Sequence, residues 1–396
     1  MTSIPILLLC VALAAILASI SISYPSVRKI IRTTKTQDSE SGTAGIEFPS
    51  LSVIVYDFAD DETLERYLGQ ISAQTYPDYK VIIVSDADSV KAREMRERFG
   101  EKFPDVHFTF IPPGSHNLSR RKLAFTIGIK AASTEFVLTT VSTCSIPSPE
   151  WLATMMRPVI ENPAVNIVLG LSCPDAASLK GISKWFRQFD FCFRTSQWVA
   201  GALNGRPFRG DGFNMLFARS LFFETKGYSK TIHIDPGDDD LFLSEIATGT
   251  NTAVQLDKNA ILTQTPANAN KSAIEMRERY AFSAKMLPRQ PFVKAGIGSC
   301  CQWIALISTI CAALSPLFTE SAPDPVERWT PAVIASALLL IFWGFGIYLY
   351  RLVAPCLNTT RLWWSVPVFM LWRPIDNFFF GIRHRSRLER FYTRNR

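Results

Sequence analysis

The sequence predicts an α/β protein whose mostly parallel sheet is flanked by helices, together with transmembrane helices. Two observations support this fold class. Short apolar runs alternate with segments of helical spacing between residues 51 and 141, and such alternation is typical of a parallel sheet. Three further stretches, residues 4–24, 292–318 and 329–350, are apolar over a length that can span a bilayer.

The charges beside the apolar stretches predict their orientation. Basic residues follow the first stretch and none precedes it, which favours a retained anchor over a cleaved signal peptide. Loop 319–328 is mainly acidic, whereas the tail from residue 383 onwards is rich in arginine. Because positive charge marks the cytosolic side, we expect the central domain and the tail to lie in the cytosol.

Charge and cysteine content exclude two classes of protein. The net charge of +7 at pH 7 comes mainly from the membrane-flanking segments, so it indicates a membrane surface and no nucleic-acid partner. The 8 cysteines form no Cys-x-x-Cys pair. We therefore expect reduced thiols, with neither a zinc site nor a disulfide framework.

The predicted elements of the central domain alternate between strand and helix. In chain order they are strand 51–56, helix 61–75, strand 81–84, helix 91–99, strand 107–111, helix 120–133 and strand 136–141. In the first helix, Leu64, Tyr67, Leu68 and Ile71 recur at helical spacing, and Pro77 follows its end.

Polar side chains follow the predicted strands, where parallel sheets bind ligands. These residues are Asp57, Asp60, Asp86, Asp88 and the tripeptide 142–144. Towards the C-terminus, residues 361–382 are aromatic but interrupted by prolines, which favours an interfacial helix over a span. We predict an anchor (1–27), a polar linker (28–48), the α/β domain (49–290), two transmembrane helices (291–352), and an interfacial helix with a basic tail (353–396).

Several motifs of the domain occur in a recognisable order. Gln74 to Pro77 precede the strand that ends at Asp86, and a basic pair lies at Arg121 and Lys122. A glycine-bearing segment at 208–217 and an acidic run at 237–240 follow. Over roughly residues 50–290 this order resembles the family 2 glycosyltransferases of membrane-anchored bacterial type. The resemblance implies a GT-A-like fold and a nucleotide-sugar donor.

On the donor side, the resemblance implies that Asp60 and Asp86 hold the nucleoside and that Lys122 faces the nucleotide. Judged by local pattern alone, Asp86 is equally a turn residue after a strand. Lys122 by itself is more often a solvated charge on a helix.

On the acceptor side, the resemblance implies a loop containing Gly210, Asp211 and Asn214, where glycine lets the backbone approach a sugar closely. The alternative is an ordinary glycine turn.

The acidic run matches the segment that carries the general base of the family. Asp239 stands at the position of the base, with Asp238 beside it, and neighbouring carboxylates raise the pKa of the base towards a useful value. The alternative is an acidic N-cap for a helix that begins near Leu241, and both can hold.

Downstream, Arg277, Arg279 and Tyr280 stand where processive relatives carry Gln-x-x-Arg-Trp. Arginine suits a diphosphate leaving group and tyrosine can stack on a sugar. The alternative is an amphipathic helix on the membrane. Met276 replaces the glutamine of the motif, which favours one sugar per turnover over polymer synthesis.

The usual metal site of the family is replaced. Ser142, Thr143 and Cys144 stand where relatives have Asp-x-Asp, which binds Mg²⁺ or Mn²⁺. Three alternatives remain: a metal held by Asp88 or Asp211, a metal-free enzyme using Lys122, Arg277 and Arg279, or a domain that has lost catalysis.

The expected function is inverting transfer of one sugar from a nucleotide-sugar donor to a lipid-linked or membrane-proximal saccharide acceptor. We expect an integral membrane protein, in the bacterial inner membrane, with its catalytic domain facing the cytosol. The rival is a catalytically inactive pseudo-glycosyltransferase that acts as a nucleotide-sugar-binding or partner subunit.

Overall fold

The computed structural model describes residues 3–39, 47–57, 60–86, 89–112, 118–181, 183–318, 324–359 and 362–385. The chain divides into two compact units. The first contains Met1–Ile31, Trp185–Gln197 and Arg289–Phe380, and the second contains Arg32–Lys184, Trp198–Pro288 and Gly381–Arg396.

The second unit contains the sheets. Its strands are β1 (Leu51–Asp57), β2 (Tyr79–Ser85), β3 (Val106–Phe110), β4 (Phe136–Val141), β5 (Cys144–Ser145), β6 (Ile167–Leu169), β7 (Ser172–Pro174), β8 (Met215–Ala218), β9 (Thr252–Val254) and β10 (Leu262–Gln264). The larger sheet has the order β3-β2-β1-β4-β8-β6-β9, and the smaller has the order β5-β10-β7.

The larger sheet is mostly parallel, as predicted. Strands β3, β2, β1 and β4 are parallel neighbours, whereas β8 is antiparallel to both β4 and β6. All residues of β4 are buried, including Thr139 and Thr140, which agrees with its mostly apolar sequence.

Helices complete both units. They are α1 (Ser3–Ser39), α2 (Asp61–Ser72), α3 (Ser89–Gly100), α4 (Arg120–Ala131), α5 (Trp151–Glu161), α6 (Lys184–Leu203), α7 (Arg219–Glu224), α8 (Asp240–Ile246), α9 (Ala269–Ser283), α10 (Arg289–Leu314), α11 (Pro325–Cys356) and α12 (Val366–Arg383). Helix α2 buries Leu64, Tyr67, Leu68 and Ile71, the four residues whose spacing predicted it.

The first unit contains the apolar helices. Among the described residues, three helical segments are long and apolar enough to cross a membrane, namely Ile4–Asp38, Arg289–Phe318 and Pro325–Cys356. They include the three predicted spans. One difference is that α1 runs on to Ser39, so the first part of the predicted linker is helical. This part contains no glycine or proline that would end the helix.

Helix α12 has one packed face and one exposed apolar face within the first unit. On the packed face, Arg373 Nε donates to the Asp190 carboxylate at 2.8 Å. On the other face, Val368, Trp372 and Phe379 are exposed. An exposed apolar face is what an interfacial helix presents to a membrane, and the interfacial position of α12 stays a prediction.

Candidate functional site

Asp86 lies at the carboxyl edge of the sheet, directly after β2. The hydroxyl of Tyr56, near the end of the neighbouring β1, donates to Asp86 Oδ2 at 2.7 Å. Arg120 Nε donates to Asp86 Oδ1 at 2.6 Å. Burial and the Asp86 carboxylate raise the pKa of Tyr56, so its hydroxyl keeps its proton. Asp86 is therefore held in place at the ligand-binding edge of the sheet.

Helix α4 begins with three consecutive basic residues at this edge. The guanidinium of Arg121 lies over the ring of Phe213, 4.9 Å from its centre. Lys122 is fully buried and donates to the carbonyl of Thr231 at 2.8 Å. Burial lowers the pKa of Lys122 to about 8, although the nearby Asp238 carboxylate opposes the shift. Lys122 is therefore not a solvent-exposed charge on the surface of its helix.

Asp238 is the centre of a buried ion-pair cluster, and its side chain is 0% exposed. Arg279 donates to Asp238 Oδ1, and Arg121 Nη1 lies 3.5 Å from Oδ2. Burial would raise the pKa of Asp238, but Arg121, Arg279 and Lys122 together outweigh it and hold the pKa below its ordinary value. Asp238 is therefore ionised and joins α4 to α9.

Asp239 caps helix α8 and lies against the glycine-bearing segment. Its Oδ1 accepts the backbone N–H of Asp240 at 2.8 Å. A Cβ at Gly212 would lie 2.9 Å from the Asp239 Cβ, so only glycine lets this backbone come so close. Burial, and then the charge of Asp238, raises the pKa of Asp239. The cap and the raised pKa thus occur in one residue, and a raised pKa suits a general base.

Arg209 holds helix α8 to helix α9. Its Nε donates to Asp240 Oδ2 at 3.0 Å, and its Nη2 donates to the carbonyl of Tyr280 and to Ser283 Oγ, both at 3.0 Å. The same guanidinium lies 4.4 Å from the centre of the Tyr280 ring. Burial raises the pKa of Asp240 to about 7, although Arg209 opposes the shift.

Asp211 and Asn214 hold the glycine-bearing segment through buried hydrogen bonds. Asp211 Oδ2 accepts from both the backbone N–H and the hydroxyl of Ser172 at 2.6 Å. The Asn214 amide donates to the carbonyls of Leu171 and Ala260, at 2.9 and 2.7 Å. These contacts give both residues a structural role beneath Gly212, and acceptor contact by them stays a prediction.

Three other predicted site residues have different surroundings. Gly210 packs against core leucines: a Cβ there would lie 3.1 Å from Leu169 Cδ2. Asp60 is exposed and caps α2, where Oδ1 accepts the Thr63 N–H at 2.8 Å. This hydrogen bond lowers the pKa of Asp60. Arg277 lies on α9, two residues before Arg279. Nucleoside contact by Asp60 and diphosphate contact by Arg277 stay predictions.

Sequence reasoning missed Arg120 and Arg209. Arg120 stands beside the basic pair that was singled out, and only the fold shows that it meets Asp86. Arg209 lies in the glycine-bearing segment, but its partner Asp240 is 31 residues away. The available signal was a basic residue directly before Gly210, the first glycine of this segment.

Residues 49–279 match the sequence profile of the family described as "Glycosyltransferase like family 2". The chain belongs to this glycosyltransferase family. No curated protein matches the sequence.

One solved glycosyltransferase shares the fold, and two others match this chain with lower TM-scores. The mannosyltransferase PcManGT from Pyrobaculum calidifontis, solved with GDP-Man and Mn²⁺, is 18% identical with a TM-score of 0.51, covering 94% of this chain and 99% of that one. TarS (1–349) of S. aureus is 13% identical with a TM-score of 0.39, covering 85% and 91%. Glucosyl-3-phosphoglycerate synthase of Mycobacterium tuberculosis is 13% identical with a TM-score of 0.36, covering 64% and 83%.

The residues at the usual metal position of the family do not fit a divalent cation. Cys144 is buried, and burial raises the pKa of its thiol well above the ordinary value. The Thr143 carbonyl accepts both the backbone N–H and the hydroxyl of Thr265, at 2.8 and 2.9 Å. Mg²⁺ and Mn²⁺ prefer ionised or carbonyl oxygens, and neither hydroxyls nor a protonated thiol supply such a set.

Other carboxylates do not provide the missing ligands within the part of the chain that the structure describes. No group of three or more His, Cys, Asp or Glu side chains there could hold a metal ion. Asp211, one of the two predicted alternative metal ligands, already accepts a hydrogen bond from the backbone N–H of Ser172. Asp88, the other, lies outside the described residues. The described site thus offers basic side chains where relatives are expected to use a metal.

Proposed function

We propose that this glycosyltransferase moves one sugar, with inversion, from a nucleotide-sugar donor to a lipid-linked or membrane-proximal glycan acceptor. The observation that carries the proposal is Asp239, a nearly buried carboxylate whose pKa is raised, packed against Gly212 and next to a cluster of basic side chains. Inversion needs one base of this kind on the acceptor side.

In the proposed reaction, Asp239 takes the proton from an acceptor hydroxyl while that oxygen attacks the anomeric carbon of the donor. The bond between the anomeric carbon and the diphosphate oxygen breaks on the opposite face. The diphosphate leaves with the electron pair, and the proton remains on Asp239. A raised pKa strengthens Asp239 as a base, because proton affinity follows pKa.

The donor would lie along the carboxyl edge of the sheet. Asp86, fixed by Tyr56 and Arg120, is placed to accept hydrogen bonds from the nucleoside. Lys122 and Arg279 supply positive charge near the diphosphate, and a fork of N–H donors on arginine suits phosphate oxygens. Asp60 and Arg277 are proposed to extend this site, and Tyr280 to contact a sugar.

The membrane assignment supports an acceptor at the membrane surface. Three apolar helices and the exposed apolar face of α12 belong to one unit. Together with the basic tail they favour an integral protein of the bacterial inner membrane with its catalytic domain in the cytosol. The proposed segments are the anchor (1–27), linker (28–48), transferase domain (49–290), paired spans (291–352) and interfacial helix with tail (353–396).

Turnover by an Asp239→Asn variant tests the proposal. Purified protein is screened against nucleotide sugars, and release of the nucleoside diphosphate is measured with membrane lipid extracts as acceptor. We expect Asp239→Asn to lose at least about a hundredfold in turnover, the usual contribution of a general base. Asp105→Asn, at an exposed turn, is the matched control. Equal turnover in Asp239→Asn and the control would remove the assigned base.

The second candidate is a pseudo-glycosyltransferase that binds a nucleotide sugar or a sister enzyme. The observation that favours it is the Ser142–Cys144 tripeptide, which offers no carboxylate. It predicts thermal stabilisation by a nucleotide without turnover of any donor, with or without Mn²⁺. Turnover of one donor by the purified protein would exclude it.

A further inference from the structure

The Asp238 carboxylate lies behind two guanidiniums that reach it from different elements. Arg121 comes from α4 and Arg279 from α9, and their side chains are 14% and 16% exposed, whereas that of Asp238 is 0% exposed. A ligand that approaches this cluster therefore meets the guanidiniums before the carboxylate. The two guanidiniums thus have the geometry of an anion-binding site, in which the Asp238 carboxylate is the bound anion.

Both guanidiniums have anchors that do not depend on Asp238. Arg121 lies over the rings of Phe213 and Tyr56, 4.9 and 5.9 Å from their centres. Arg279 is carried by α9, which Arg209 fastens to Asp240 at the start of α8. The two cations consequently keep their positions when another anion takes the place of the carboxylate.

The charge of the cluster is close to balanced without a ligand. Three cations face three carboxylates: Arg121, Lys122, Arg279, Asp235, Asp238 and Asp239. Arginine binds carboxylate and phosphate oxygens with the same fork of donors, so a diphosphate and Asp238 compete for one set of N–H groups. The described donor set at residues 142–144 does not fit a metal that would bind the diphosphate instead.

We propose that Arg121 and Arg279 form a metal-free binding site for the diphosphate of the donor, and that Asp238 is an internal anion that occupies this site between turnovers. This inference rests on the proposed function. Donor binding exchanges the carboxylate for phosphate oxygens on the two guanidiniums. After transfer, the return of Asp238 to the guanidiniums helps to release the nucleoside diphosphate.

The test measures nucleoside diphosphate binding by calorimetry on the full chain in detergent, with EDTA present. Asp238→Asn keeps the shape of the side chain and removes its charge, so we expect UDP or GDP to bind about tenfold tighter, since a charge at this distance shifts equilibria by about that factor or more. Arg121→Gln and Arg279→Gln are expected to weaken binding by about tenfold or more. Arg98→Gln, in an exposed pair with Asp61, is the matched control.

Thermal melting of each variant shows whether it folds. If Asp238→Asn does not fold, the arginine variants still test the diphosphate site. Unchanged or weaker binding by a folded Asp238→Asn overturns the role of the internal anion. Nucleotide binding that requires Mn²⁺, or that has the same affinity in both arginine variants as in wild type, overturns the metal-free site.

Farnesyl diphosphate is measured beside UDP and GDP, because a lipid-linked acceptor can carry the same group. Binding of farnesyl diphosphate alone overturns the assignment to the donor. If the wild type binds neither UDP nor GDP under any condition, the proposed donor fails; in the failures of the internal anion and of the metal-free site, by contrast, a nucleotide still binds.

Discussion

Replacing Arg209 with methionine should weaken the junction of α8 and α9 in a way that depends on pH. The Arg209 side chain is 7% exposed and that of Asp240 is 1% exposed, so the ion pair is shielded from water. The Nε of Arg209 donates to Asp240 at 3.0 Å, and its Nη2 donates to Tyr280 O and Ser283 Oγ. Methionine keeps much of the volume of the arginine side chain and removes all three hydrogen bonds.

The magnitude follows from the protonation state of Asp240, whose pKa is raised to about 7 by burial. When the pKa of a carboxyl is raised in the folded state, the protein loses stability as the pH rises to that pKa, because the folded protein must then hold a buried anion. The charge of Arg209 offsets this loss of stability once Asp240 is ionised. Without Arg209 the pKa of Asp240 rises further, so at pH 8 the variant must either bury an unpaired anion or protonate the carboxyl, and we expect a loss of about 3 kcal/mol. At pH 6 Asp240 is largely protonated, and the lost hydrogen bonds cost about 1 kcal/mol.

The assay is thermal melting of the purified protein in detergent at pH 6 and pH 8, with Arg206→Met as the control at an exposed position. We expect the deficit in melting temperature relative to wild type to be two- to threefold larger at pH 8, in proportion to the free energies above. A deficit that is equal at both pH values would refute the ionised pair. A melting temperature equal to that of the control at pH 8 would refute the junction itself.

Two further predictions concern the site. Gly212→Ala places a Cβ 2.9 Å from that of Asp239 and should lower turnover by about tenfold or more through displacement of the base; Gly100→Ala, with open space around it, is the control, and equal turnover in both contradicts the close approach. Affinity for nucleoside diphosphates should fall as pH rises through about 8, because Lys122 loses its proton there, and Lys122→Met should abolish that step in calorimetric titrations. A wild-type affinity that is constant from pH 7 to 9 contradicts this assignment.

The sequence predicted the first four strands well because each is a mostly apolar run between turns, and β1, β2 and β4 are almost wholly buried. Strand β4 has the predicted bounds, 136–141, and β1 and β2 extend beyond theirs by one to two residues at an end. Such runs mark strands that are covered on both faces.

The later strands were less predictable. Strands β6 and β7 have three residues each and contain no periodicity that a pattern could detect. Pairing with distant partners defines them: β6 lies between β8 and β9, and β7 joins β10. The smaller sheet was therefore not predicted, although it contains Cys144 of the altered metal position.

The candidate site shows the same division between local and distant information. Motif order singled out Asp86, Asp239 and Arg279, which lie at the sheet edge and in the cluster around Asp238. Buried partners could not be predicted, since the Arg121–Asp238 pair spans 117 residues. Local chemistry also has more than one use: Asp60 caps a helix, as acidic residues often do. The predicted roles of the basic tail beyond residue 385 and of Asp88 fall outside the described residues.

The most direct test of the central claim is donor turnover by the purified protein in EDTA, compared between wild type, Asp239→Asn and Asp105→Asn. We expect release of a nucleoside diphosphate by wild type and by Asp105→Asn without added metal. We expect at least about a hundredfold less release by Asp239→Asn. Equal release by all three proteins would contradict the assigned base, and release that depends wholly on Mn²⁺ would contradict the metal-free site.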